Sequence, residues 1–248
     1  STKLPIVRPT VPCNCWATGG ALLLDPIVDV PAVLDCLVSA LPNLPWPLVW
    51  LDQVPFEQPH WREFRGAAER AGLSVSTREH YQVGMVEVGN DWESFKAKMK
   101  GDHRRKLGRH VRKLGELGDV EFRVHKEIAS DDVRPLLALG FEVEDRSWKG
   151  AEGTSVLKNP GIFEHYCREA QLLARWRLLE LGFLELNGKP IAFDYGWFAK
   201  GVHFTMKIGY DEAYAKCAPG QQMVMRLLER LHSSHEHRLL DFAGPLVD

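Results

Sequence analysis

The sequence predicts a mixed α/β protein, on two observations. Segments with apolar residues at helical spacing alternate along the chain with short apolar or alternating runs of strand length. Within residues 183–210 the period changes to two for three successive segments, joined at Asn187-Gly188 and Lys200-Gly201, dipeptides suited to hairpin turns. The length of 248 residues allows one large domain or two ordinary ones, and 45% hydrophobic residues supply a core.

The elements follow in order. Residues 21–24 and 47–51 have the apolar character of buried strands, with a helix over 31–41 between them. A helix over 60–71 stops at Gly72, and strands are expected at 73–77 and 83–88. Asp91 is placed to cap a long helix in which Phe95, Met99, Leu107, Val111 and Leu114 fall at helical spacing, with Gly118 as its stop. That helix is expected to link two halves, 1–118 and 119–248. Beyond it, 120–124 alternates as a strand, Ser130 caps a helix to Phe141, and 160–181 reads as a helix with Gly182 at its stop. After the three strands comes a helix opened by Pro219-Gly220, then a strand over 238–244.

The Pro219 helix has no acid in its first turn. It leaves the N–H groups of Gly220, Gln221, Gln222 and Met223 at the positive end of the helix dipole, an arrangement that suits an anion.

Composition narrows the function. A net charge of −2 argues against nucleic acid or an anionic membrane as the partner of the whole surface, so any such partner must use a local patch. Five cysteines, Cys13, Cys15, Cys36, Cys167 and Cys217, form an odd, scattered set in a chain too large to need staples, which points to reduced thiols and a cytoplasmic setting. Cys13-x-Cys15 has the form of half a metal site, but no second Cys pair or His cluster at ligand spacing completes it, so no metal is expected. His232, His235 and His237 at the end of the Pro219 helix are explained by favourable interaction with its C-terminus. There is no apolar window of transmembrane length, and the start STKLPIVRPT lacks a signal-peptide core.

Four stretches, in order, carry a family resemblance: EDRSWKGAEGTS (144–155), FLELNGKPIAFDYG, MKIGYDEAYAKCAPGQQM and LLDFAG. Together they resemble the CelD/BioF2-like branch of the GNAT acetyltransferase superfamily, relatives of the Fem aminoacyl transferases. The resemblance covers residues 90–248 and implies tandem GNAT-like domains, each a mixed, largely antiparallel sheet flanked by helices. It implies acyl transfer from acetyl-CoA, as co-substrate, to an amine acceptor of small or carbohydrate type. The acyl-CoA site would lie in the 119–248 half, at Ile208, Ala218, Pro219, Gly220, Gln221 and Gln222. The turn departs from the superfamily pattern Q/R-x-x-G-x-G/A, since only Gly220 stands where a series of glycines would be.

Acyl transfer to an amine needs a base, N–H donors for the thioester oxygen and an acid for the leaving thiolate. Glu144 and Asp194 are the candidate bases and Tyr210 the candidate acid. Each also has a structural reading: a solvated helix-end carboxylate, a polar strand residue and a core tyrosine with its hydroxyl at the rim. Trp148, Lys149 and Thr154, with Gly150 and Gly153, form a candidate acceptor loop. Lys207 either binds an anionic group or points outward by strand alternation. Cys217 lies near the turn without a local His partner, so direct attack in a ternary complex is expected over a covalent intermediate.

Between Lys96 and Lys113 stand nine Lys or Arg residues and one acid, Asp102. Three readings stay open: a solvated helix face, a site where Arg104, Arg105 and Arg109 hold an anionic acceptor, or a stripe for RNA such as tRNA. The last keeps a Fem-like aminoacyl transferase in view, and a catalytically silent polyanion-binding protein is the rival of another class. Aromatic residues are sparse in the run, which disfavours a stacking surface for single strands.

Overall fold

The computed structural model describes Gly20, residues 22–89 and residues 91–245, so Cys13 and Cys15 lie outside the described residues. The chain divides into two compact units, Ser1–Tyr81 and Gln82–Asp248.

In the first unit, α1 (Val30–Ala40) starts at Asp29, whose side chain accepts the Ala32 N–H, and α2 (Pro59–Arg70) starts at Pro59. Leu34 and Val38 pack against Ala67 and Ala68. The strands expected at 21–24, 47–51 and 73–77 are not found among the described residues: Trp50 is an isolated bridge residue, and 22–25 and 73–80 are irregular. Leu23 is 97% exposed. Pro26, Pro45, Pro47 and Pro55 lie in or beside the first two of these runs and withhold backbone donors that a ladder needs. The described part of this unit is therefore helical, and no second sheet is seen in it.

The second unit carries one six-stranded sheet, in the order β1-β6-β5-β4-β3-β2. Its strands are β1 (Val83–Glu87), β2 (Val120–His125), β3 (Leu179–Leu186), β4 (Lys189–Ala199), β5 (Val202–Tyr210) and β6 (Leu239–Pro245). All neighbours are antiparallel except β5 and β6, so the mixed, largely antiparallel sheet flanked by helices is present. Both hairpins turn as their sequences require. Asn187 and Gly188 have φ of 51° and 74°, and Lys200 and Gly201 have 52° and 80°, so both central residues of each turn are left-handed.

The helix expected from a Ser130 cap to Phe141 starts from an N-cap at Ala129 with no side-chain cap bond and runs on to Asp145, and two further helices differ from expectation. The basic segment is not one long helix: α3 (Trp92–Lys98) ends at Met99, where ψ is 140°, and α4 (Gly101–Gly115) starts afresh. The break lets Phe95 join the cluster around Leu227, Leu228 and Leu231 while Leu114 enters a separate one beside Met223. β1, α3 and α4 thus belong to the same compact unit as the rest of the sheet.

The third difference concerns the helix expected over 160–181, which is α7 (Ile162–Arg175). Arg177 takes φ 56°, and the Leu178 N–H returns to the Leu173 carbonyl at 2.9 Å, a Schellman-type stop made without glycine. Leu179–Leu181 are therefore strand, and Gly182 lies inside β3.

Helices cover both faces of this sheet. On one lie α5 (Ser130–Asp145) and α7, where Phe141 and Tyr166 pack on Phe183, Phe193 and Tyr195. On the other lies α8 (Pro219–His232), with Met223 over Leu184 and Ala192. Glycines set the first spacing: a Cβ on Gly140 would stand 2.3 Å from the Phe193 ring, and one on Gly209 2.8 Å from Glu144 Cα.

β5 carries a bulge. Tyr195 pairs with Lys207 but Gly196 with Thr205, so Met206 is an extra residue that reverses the facing of everything after it. His203 and Thr205 share the α8 face with Asp194, while Lys207 and Gly209 share the α5 face with Tyr195 and Phe193.

The packing predicts opposite effects for two glycine substitutions. Gly140→Ala should destabilise by about 1–3 kcal/mol, because Phe193 and the backbone must shift. Gly108→Ala, on an exposed helical position with nothing within 4 Å, should stabilise by about 0.5–1 kcal/mol. Urea unfolding of the two variants checks both signs.

Candidate active site

The parallel pair β5 and β6 is joined only where Val202–Phe204 meet Leu239–Asp241. Past that point both strands leave the ladder. β5 bends at Met206, and β6 bends at Ala243, which has φ 48° and donates its N–H to Asp241 Oδ1 at 2.7 Å. The two strands therefore part toward the end of the sheet from which α8 starts.

The connection from β5 to α8 is tightly built. Asp211 accepts the Ala213 N–H at 3.0 Å and the Arg146 Nε–H at 2.7 Å, fixing a 3-10 turn over Glu212–Cys217. Ala218 then adopts the left-handed conformation, φ 49° and ψ 55°, and Pro219 begins the helix. The Gln222 N–H donates to the Ala218 carbonyl at 3.1 Å, so the N–H groups of Gly220 and Gln221 precede the helical ladder.

Gln222 has a different task from the one expected of it. Its side-chain amide donates to the carbonyls of Cys217 at 2.8 Å and His110 at 3.2 Å, tying α4 to the turn. Tyr210 lies over the helix start: a Cβ on Gly220 would be 3.2 Å from its ring. Burial, and then the Glu212 carboxylate, push the Tyr210 phenol above its ordinary pKa, so it keeps its proton across the physiological range.

On the α5 face, the structure brings together Glu144, Lys149, Lys207 and the backbone carbonyl of Ile208, whose side chain shares the other face with Asp194. Glu144 is buried; its Oε1 accepts from Lys149 Nζ at 3.0 Å and its Oε2 from the Val156 N–H at 3.0 Å. Lys149 Nζ also donates to the Ile208 carbonyl at 3.1 Å, and Lys207 Nζ stands 3.9 Å from Glu144 Oε1. Glu144 is thus an interior carboxylate, not a solvated helix end. It holds the loop around α6 (Trp148–Ala151) against the sheet, helped by the Thr154 hydroxyl, which donates to the Lys149 carbonyl at 3.2 Å. Trp148 is half exposed on that loop.

Asp194 lies on the opposite face, beneath α8. Its Oδ2 is 3.3 Å from His203 Nε2, while its buried Oδ1 has no hydrogen-bond partner. His203 Nδ1 lies 3.2 Å from Glu180 Oε2, and Glu180 takes a two-point contact from Arg230 at 2.8 and 3.0 Å and one from Lys126 at 2.9 Å. Burial works against charge on His203, but the Asp194 and Glu180 carboxylates outweigh it and raise its pKa. Burial alone would raise the Glu180 carboxyl; His203, Arg230 and Lys126 reverse that and hold it well below the usual range.

Arg104, Arg105 and Arg109 sit on exposed positions of α4. Arg105 pairs with Asp102, and with Lys106, Arg109 and Arg112 these two line a shallow depression. α4 packs against the 3-10 turn and α8, so this basic helix adjoins the anion-suited helix start.

Asp241 is among the residues that the sequence reading passed over. It is the last residue of β6 paired with β5, at the point where the strands separate, and burial holds its carboxyl above the ordinary aspartate pKa. The signal was present in LLDFAG, a carboxylate inside an otherwise apolar strand.

The family model described as acetyltransferase (GNAT) domain matches residues 101–246. No curated protein sequence matches the chain. Among solved structures, the C-terminal DUF2156 domain of a protein assigned as a lysylphosphatidylglycerol synthetase from Agrobacterium fabrum superposes with TM-score 0.55 at 14% identity, covering 86% of this chain and 58% of that one. A conserved protein of unknown function from Bacteroides thetaiotaomicron VPI-5482 gives TM-score 0.49 at 16% identity over 72% of this chain and 56% of that one. The chain thus spans less than two thirds of either structure. These likenesses concern the fold.

The raised Asp241 pKa gives a signed prediction. Ionising this carboxyl is harder in the folded than in the unfolded chain, so it subtracts stability once pH rises above its unfolded value and subtracts none below it. Asp241→Asn should therefore raise the thermal midpoint at neutral pH and leave it unchanged at about pH 3. Calorimetry at the two pH values checks this; a lowered midpoint at neutral pH would contradict it.

Proposed function

Because the chain belongs to the acetyltransferase (GNAT) domain family, we propose that it is an acyl-CoA-dependent N-acyltransferase of the CelD/BioF2-like branch. It moves an acetyl group from acetyl-CoA to an amine on a saccharide or envelope-related metabolite. The observation that carries this reading is the parting of β5 and β6 beside an open helix start: the gap suits an extended thioester arm, and the Gly220 and Gln221 N–H groups suit a pyrophosphate. The free cysteines Cys36, Cys167 and Cys217 agree with a reducing, cytoplasmic setting.

The step is direct attack. The amine nitrogen bonds to the thioester carbon, the C–S bond breaks, the amine proton passes to a carboxylate, and the thiolate takes a proton from the Tyr210 phenol. Of the two carboxylates expected from sequence, Glu144 is our choice as base. It stands on α5 against Lys207 and bonds to the loop that carries the half-exposed Trp148, whereas Asp194 lies under α8 in contact with His203. Lys149 and Thr154 shape the acceptor side of the cleft.

A second reading, Fem-like aminoacyl transfer from tRNA, is favoured by the basic depression on α4, and the name of the Agrobacterium neighbour belongs to that chemistry. Arg104, Arg105 and Arg109 decide between the readings. Replacing all three by Gln should raise the KM of a small anionic acceptor and leave acetyl-CoA binding alone. Tight tRNA binding with a log–log salt slope of about −4 or steeper, lost in that variant, would favour the second reading.

Gly220→Asp sets a carboxylate at the anion site and should abolish CoA binding in calorimetry, whereas Gly220→Ala, which tests only the contact with Tyr210, should retain most of it. Equal affinity of Gly220→Asp and the parent would refute the site. Glu144→Gln should lower kcat by about 10²-fold or more at unchanged CoA affinity, and a comparable loss in Asp194→Asn alone would move the base to the α8 face.

A further inference from the structure

The α8 face holds a second cluster that acyl transfer does not use. Glu180, His203 and His237 are all buried, and one ligand atom from each lies within 4.8 Å of the other two. His237 sits in the connection between α8 and β6, its ring tilted against Phe198 at 4.3 Å between centroids, and so is not part of the helix end to which its sequence position assigned it.

Each imidazole has one nitrogen against an oxygen partner, a carboxylate for His203 and a serine hydroxyl for His237. His203 Nε2 faces Asp194 Oδ2 at 3.3 Å and His237 Nδ1 faces Ser234 Oγ at 2.9 Å, while His203 Nδ1 and His237 Nε2 are buried without a hydrogen-bond partner. Asp194 accepts only, so it holds a proton on His203 Nε2, and binding of a cation at Nδ1 would displace the proton that otherwise faces Glu180 there. An imidazole with one nitrogen donating to a carboxylate and the other aimed at a shared point is the usual arrangement of a metal-bound histidine.

The separations fit as well. His203 Nδ1 and Glu180 Oε2 are 3.2 Å apart. Two ligands at about 2.0–2.1 Å from a tetrahedral ion would be about 3.4 Å apart.

We propose that Glu180, His203 and His237 bind a divalent transition metal ion of the zinc type as a structural clasp. Two imidazoles and one carboxylate favour such an ion over magnesium or calcium, which take oxygen ligands. The ion would join β3, the paired start of β5 and the α8–β6 connection, fixing the closed end of the β5–β6 pair opposite its open end. Arg230 and Lys126 keep Glu180 ionised and oriented, and their charge also opposes the ion, so its affinity falls below that of an all-thiolate site. The ligands come from three separated elements, which is why local spacing in the sequence did not reveal them.

The test uses the whole untagged chain, stripped with a chelator and then titrated with Zn²⁺, Co²⁺ or Mg²⁺. One equivalent of Zn²⁺ should bind and raise the thermal midpoint, Mg²⁺ should do neither, and Co²⁺ should give the visible bands of a tetrahedral site without a thiolate charge-transfer band. His237→Gln, shown folded by near-ultraviolet circular dichroism, should lose at least tenfold in Zn²⁺ affinity together with the midpoint rise. Glu180→Gln should do the same, and if it fails to fold, His237→Gln decides. Absent binding, a midpoint rise undiminished in His237→Gln, or a thiolate band placing the ion on Cys13 and Cys15 would each overturn the proposal.

Discussion

The arrangement of the second unit depends on one extra residue in a strand. Met206 interrupts the β4–β5 ladder, bends β5 and turns the following side chains over. Without it, Lys207 and Gly209 would face α8, Gly209 would not lie under Glu144, and β5 would be free to continue alongside β6. With it, the pair stays joined only at Val202–Phe204, and β5 runs on alone to Tyr210, where the turn into α8 begins. An irregularity at Ala243 bends the partner strand as well. The opening is therefore part of the backbone, supported on both sides by packed helices.

The faces of the sheet carry unlike polar interiors. Glu144 is enclosed by two lysines and a backbone N–H, and its burial makes either lysine costly to remove, since the carboxylate would be left without compensation. Beneath α8, Asp194, His203, Glu180 and Arg230 form a chain of short contacts that reaches the surface at Lys126. Both networks tie strands to helices at points where glycine allows close approach: Gly209 for Glu144, and Gly196 for His203, where a Cβ would stand 2.9 Å from Nε2. Such networks fix register and helix position more than they add net stability.

Much of this was legible in the sequence wherever local chemistry decides conformation. Asn187-Gly188 and Lys200-Gly201 announced their hairpins, and Pro219-Gly220 announced a helix whose first turn is bare of acid. What stayed hidden depends on tertiary contacts or on residues in unusual roles. Arg177 ends α7 in a conformation usually given to glycine, and the Met99 break answers to two separate core clusters. The facing of Lys207 could not be read while the bulge at Met206 was unknown, because strict alternation gives the wrong side. Glu144 and Asp194 stand out in the sequence as candidate bases, yet the sheet that separates them and the partners that enclose them come from distant parts of the chain. Early apolar runs such as 21–24 mimic strands because hydrophobicity alone does not supply a neighbour.

The central claim is that acyl-CoA lies in the gap beyond Met206 with its pyrophosphate on the start of α8. Backbone amide NMR during titration with CoA tests it directly, since every N–H invoked is observable by itself. The largest shift changes are predicted at Gly220 and Gln221, followed by residues 206–210 of β5. Saturable binding that leaves Gly220 and Gln221 unshifted while moving amides of α4 would contradict the claim.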